Sequence, residues 1–145
     1  MRASISLAIA GLVWFSTYLS AQPNKEVYEL QERCGKRAAE VFRREHNPPI
    51  SKTKDGQTLF NYEGHYSARL NKCFFLEVAV SYERKEGKPT ISKTMRLFEL
   101  NDNKQYGIYM SGFVMDGPPI GCEVQDIVCQ SENEWRQLLK PFMED

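Results

Sequence analysis

The chain has 145 residues, with 19 lysines and arginines balanced by 19 aspartates and glutamates, so its formal net charge at pH 7 is zero. A chain of this length holds one domain with one core. Neutrality, with no basic run, argues against a nucleic-acid partner and against attachment to anionic lipid.

Met1-Arg2 opens the chain with one positive charge, and an uncharged apolar stretch follows from Ala3 to Phe15. Small and polar residues come next, at Ser16, Thr17, Ser20 and Ala21. That order predicts a signal peptide over residues 1–21, cut after Ala21, and a single disulfide-bonded domain over 22–145. The apolar run is shorter than the ~20 residues that span a bilayer, so no stable membrane insertion is expected after cleavage. Periplasmic or secreted localisation follows. The four cysteines, Cys34, Cys73, Cys122 and Cys129, all lie beyond the leader. An even count in a small exported chain predicts a disulfide framework. Three pairings are possible, and the spacing favours Cys122–Cys129 closing a tight loop and Cys34–Cys73 tying a helix to a sheet. No pair has the two-to-four-residue spacing usual in zinc sites.

Asn24 is placed as the cap of a first helix, on which Val27, Leu30, Cys34, Ala38 and Val41 form one apolar face. Asn47-Pro48-Pro49 ends it. Residues 51–58 are polar and read as a loop. From Phe60 to Leu70 apolar and polar residues alternate, which predicts a half-buried strand with a bulge at Gly64. A turn at Asn71-Lys72 leads to the strand carrying Phe74, Leu76, Val78, Val80 and Tyr82. Glu83 to Pro89 reads as a hairpin loop. Further strands are expected around Ile91–Leu97, around Tyr106–Met110 and within 120–128, with breaks at Asn101-Asp102-Asn103 and Asp116-Gly117-Pro118-Pro119. Ser131 and Glu134 form a capping box for a last helix, whose apolar face is Trp135, Leu138, Leu139 and Phe142. The fold class is therefore α+β: an antiparallel meander of four to five strands with an N-terminal and a C-terminal helix, both expected on one face. Cystatin-like and nuclear-transport-factor-like folds share this outline, but the glutamine-valine-glycine motif of cystatins is absent.

Glu63 and His65 stand two apart on a strand, so both point to one face, and a histidine beside a carboxylate can act as a base or hold a metal. Alternation places that face in solvent, together with Arg69. Glu63, His65 and the adjacent Tyr66 are the candidate functional residues. No catalytic residue and no metal ligand is assigned. His46 is the other histidine, placed where a cation complements the helix dipole; two histidines make a zinc site only with help from cysteines or carboxylates. There is no G-x-S-x-G elbow and no phosphate-binding glycine loop, so no cofactor is implied.

Three segments taken together are Leu30–Glu40, Asn61-Tyr62-Glu63-Gly64-His65-Tyr66 through Leu70-Asn71-Lys72-Cys73-Phe74, and Cys122 through Cys129 to Trp135. Their order and spacing resemble a family of small exported proteobacterial proteins of uncharacterised function. The resemblance implies a Gram-negative source and a periplasmic or secreted location, and it brings no substrate, cofactor or active site.

The leading functional expectation is a non-catalytic binding, inhibitory or envelope accessory module with an unknown protein or small-molecule partner. The alternatives are a small hydrolase or metal-dependent enzyme using Glu63 and His65, and a carrier of a small apolar ligand.

Overall fold

A computed structural model describes residues 25–112 and 117–145. The expected leader over 1–21, the Asn24 cap and Asp116 of the last break lie outside the described residues. The remaining chain folds as helix α1 (Lys25–Glu45), strands β1 (Ile50–Lys52), β2 (Gly56–Ser67), β3 (Lys72–Lys85), β4 (Lys88–Glu99), β5 (Lys104–Met110), β6 (Gly121–Val124) and β7 (Ile127–Val128), and helix α2 (Glu132–Met143). The strands form one open antiparallel sheet in sequence order, β1 to β7. The α+β meander with a helix at each end is thus present, with seven strands rather than four to five.

The extra strands come from segments without a clear period-two signal. β1 is three exposed residues pairing the edge of β2, Ile50 opposite Leu59, so part of the 51–58 segment is strand rather than loop. The 120–128 segment splits into a hairpin around Gln125, which takes a left-handed φ of 54°. The charged stretch after Tyr82 is also mostly strand. Lys85 pairs Lys88, leaving a two-residue turn in which Glu86 (φ 51°) and Gly87 (φ 78°) are both left-handed. Such turns match the natural twist of a hairpin. Gly64 is not a bulge: the β2–β3 register runs unbroken through Gly64 opposite Phe75. A Cβ there would sit 2.8 Å from the Ala38 Cβ, so glycine lets α1 lie close on the sheet. The register shift falls instead between Leu97 and Phe98, where β4 pairs β5 and Tyr106 has no partner. Freed from the pleat, Tyr106 packs edge-on against Phe74 and Phe142.

The two helices lie on opposite faces of the sheet, not on one. Side chains alternate along a strand, and both sets on β3 are apolar. Cys73 and Phe75 join Cys34, Ala38, Tyr66 and Leu100 under α1. Phe74 and Leu76 join Met95, Leu97, Tyr109, Val124, Trp135 and Leu139 under α2. The continuous buried run Cys73–Glu77 records a strand covered on both sides. Trp135 is fully buried and its indole N–H donates to the Glu123 carbonyl at 3.1 Å. Ser131 caps α2 by accepting from the Glu134 amide at 3.2 Å, while the Glu134 carboxylate accepts from the Gln130 amide. Disulfides join Cys34 to Cys73 and Cys122 to Cys129. The first ties α1 to β3; the second closes the β6–β7 hairpin against the start of α2. No helix among the described residues is long and apolar enough to cross a membrane.

Candidate metal centre

The amphipathic pattern of α1 ends at Glu45, and the chain turns away at the prolines after it. His46 completes the last helical turn by donating its amide to the Phe42 carbonyl at 2.7 Å. Its ring then folds back over the sheet and stacks on Phe60, centroid to centroid 4.0 Å, with Phe42 5.3 Å away on the helix side. Phe42 in turn packs on Tyr62 at 4.5 Å. This aromatic wall fixes the imidazole plane.

Glu77 stands beneath it, in the middle of β3 and on the α1 face, between Tyr62 of β2 and Arg96 of β4. Its side chain is 3% exposed. A buried carboxylate needs partners for both oxygens. Arg96 donates from Nη2 to Oε1 at 2.7 Å, and the guanidinium is held over the Phe98 ring. Oε2 has no hydrogen bond and faces His46 Nε2, equally buried and equally unbonded, at 3.5 Å. The Glu45 carboxylate completes the group: one ligand atom from each of Glu45, His46 and Glu77 lies within 4.8 Å of the others. Glu45 is exposed and pairs Arg44 at 3.6 Å, so it can swing toward the other two.

No protein-family model, curated protein or solved structure matches this chain.

The residues singled out from the sequence come together only in part. Glu63 and His65 do share a face, opposite Leu76 and Phe74, but that face is the one α2 covers rather than open solvent. The His65 side chain is 20% exposed, with Nε2 buried 3.5 Å from Asp145 Oδ1. Glu63 lies at the rim of a 450 Å³ groove beside Arg136 and Lys140 of α2. Tyr66 points to the other side of the sheet, buried under α1 with its hydroxyl donating to Asn71 Oδ1 at 2.7 Å. The cluster that does form uses His46, read from the sequence as a helix-end charge, and Glu77, which reads as a polar residue within a strand. Two signals were available: a charged residue inside the most apolar strand, and a histidine next to a glutamate at a helix end.

Proposed function

We propose that this protein binds a divalent transition metal, Zn²⁺ above all, through His46 Nε2 and the carboxylates of Glu77 and Glu45. The observation that carries the proposal is the facing pair of unbonded, buried ligand atoms, His46 Nε2 and Glu77 Oε2. Their 3.5 Å separation matches the ~3.4 Å edge of a tetrahedron with zinc–ligand bonds of ~2.1 Å. A direct imidazolium–carboxylate bond would draw the atoms to about 2.7–2.9 Å. Arg96, by gripping Oε1, orients Oε2 toward the metal as outer partners of ligands commonly do. One imidazole and two carboxylates suit zinc, with manganese and copper as competitors. Three protein ligands leave a coordination position open, so the ion would supply Lewis-acid chemistry to a small molecule reaching the end of α1. This supports the metal-dependent alternative over a bare binding module, with different residues from Glu63 and His65. The two disulfides support export to an oxidising compartment, where such an ion would be acquired.

Calorimetric titration of the purified protein with Zn²⁺ tests the reading. One equivalent should bind with a micromolar Kd, because Arg96 and Arg44 offset part of the carboxylate charge. His46→Ala should weaken binding at least tenfold, and the surface change Glu45→Gln severalfold, with unchanged far-UV circular dichroism. Absence of binding at millimolar Zn²⁺, or undiminished binding by His46→Ala, would overturn it.

A further inference from the structure

A second feature sits earlier on α1 and shares no residue with the metal centre. A groove of 530 Å³ runs between α1 and the turns that follow β2 and β4. That volume is in the range of small-molecule sites. Its floor is apolar: Leu30, the Tyr66 ring and the Cys34–Cys73 disulfide. Its walls carry Arg33, Lys36 and Arg37 against a single carboxylate, Glu40.

Apart from the Glu40 carboxylate, the hydrogen-bonding capacity left in this groove is that of donors. Arg37 donates to Asn101 Oδ1 at 2.8 Å and to the Leu100 carbonyl, so both acceptors are occupied. Tyr66 occupies Asn71 Oδ1. These bonds leave the amide nitrogens of Asn71 and Asn101 as spare donors. Arg33 makes no hydrogen bond or ion pair among the described residues. Lys36 pairs Glu32 at 2.6 Å, but both are well exposed, so the ammonium can turn inward at little cost. Arg33 and Arg37 are one helical turn apart and sit side by side. Arg37 is already held by Asn101 and the Leu100 carbonyl, so Arg33 is the guanidinium left to meet a ligand. Donors and cations above an apolar floor select a ligand with an anionic head and an apolar body. Glu40 opposes any anion placed at its end of the groove, which leaves the head to Arg33 and Asn71.

We propose that this groove binds a small organic carboxylate, its carboxylate on Arg33 with Lys36 and the Asn71 amide, and its apolar body on Leu30 and the disulfide. An inorganic anion would leave the floor unused, and a neutral apolar molecule would leave the donors without partners.

The test is titration of the full chain with 1-naphthoate, followed by amide and side-chain NMR shifts. A Kd on the order of 1 mM is expected from typical binding per atom for a ligand of this size. Shifts should centre on Asn71, Asn101 and the Arg33 side chain. Arg33→Gln, at an exposed position, should weaken binding at least fivefold. Arg84→Gln, which removes the same charge at the far end of β3, should not. The uncharged 1-naphthalenemethanol should bind at least fivefold more weakly. Equal binding of the alcohol, competition by inorganic phosphate as effective as naphthoate itself, shifts centred elsewhere, or no shifts at about 10 mM ligand would each overturn the proposal.

Discussion

Glu99 has no exposed surface, yet it carries a carboxylate at the end of β4. Its two oxygens accept from the amides of Asn101 and Asp102, both at 2.9 Å, and Lys72 lies 3.7 Å from Oε2. The carboxylate therefore holds the β4–β5 turn by satisfying two amides that the tight reversal would otherwise leave bare. Glu99→Ala should cost about 2–4 kcal/mol in urea unfolding, since it strands two donors at about 1–3 kcal/mol each with partial rescue by water. Glu99→Gln retains one acceptor oxygen and should cost about half as much. A loss below about 0.5 kcal/mol for the alanine variant would show that the turn holds itself. Glu77 is the instructive contrast at this scale. It is as buried as Glu99 but satisfied on one oxygen only, and that difference separates a structural carboxylate from a candidate ligand.

Among the elements, α2 is fastened at its first turn by Glu132. Lys93 of β4 donates to Oε1 at 2.7 Å, and Arg136, one turn along, at 2.9 Å. Burial pushes this carboxyl up, but the hydrogen bonds and charges of Lys93 and Arg136 together outweigh it and hold it below the ordinary glutamate value. A depressed carboxylate adds stability above its unfolded pKa, and that contribution disappears as pH falls through the folded value. Glu132→Gln should therefore lower stability at pH 7, and the gap to the parent should narrow as pH drops below about 4.5. A gap independent of pH from 7 to 3 would mean that the side chain acts by packing alone. Tyr109, beneath the same helix, moves the other way. Burial, with the nearby Glu132 charge, raises its phenol, so its contribution declines as pH rises above the ordinary tyrosine value of 10.0.

For the whole molecule, the Cys34–Cys73 bridge is the covalent link between the first helix and the sheet. It spans 39 residues, a loop long enough for its closure to contribute about 2–4 kcal/mol. Cys73→Ser should lower stability by that amount and loosen α1, seen as faster hydrogen exchange from Lys25 to Glu45. Unchanged exchange in α1 would show that Ala38 against Gly64 and the aromatic cluster suffice. Occupancy of the proposed metal centre is a global test too. Zn²⁺ at a hundred times its Kd should stabilise the fold by about 2.7 kcal/mol and raise Tm by several degrees, an effect that His46→Ala, with binding at least tenfold weaker, should cut by about half or more at the same zinc concentration.

The order of elements was legible in the residues themselves. The helical period of Leu30, Cys34, Ala38 and Val41, the alternation around Phe74 to Tyr82, and the Ser131 cap are local signals that need no partner to be read. The favoured disulfide pairing followed from loop length and from which elements carried the cysteines. Short edge strands such as β1 left no trace, because three exposed residues have no period. The placement of the helices on opposite faces was decided only in three dimensions. Apolar residues on both faces of β3 allowed it, but only the packing of Ala38 on Gly64 and of Trp135 on the Tyr109 side assigned each helix its face. The candidate metal centre depended on that assignment. His46 and Glu77 are 31 positions apart, and only the docking of α1 on one face of β3 brings an imidazole nitrogen over a carboxylate left half-satisfied by Arg96.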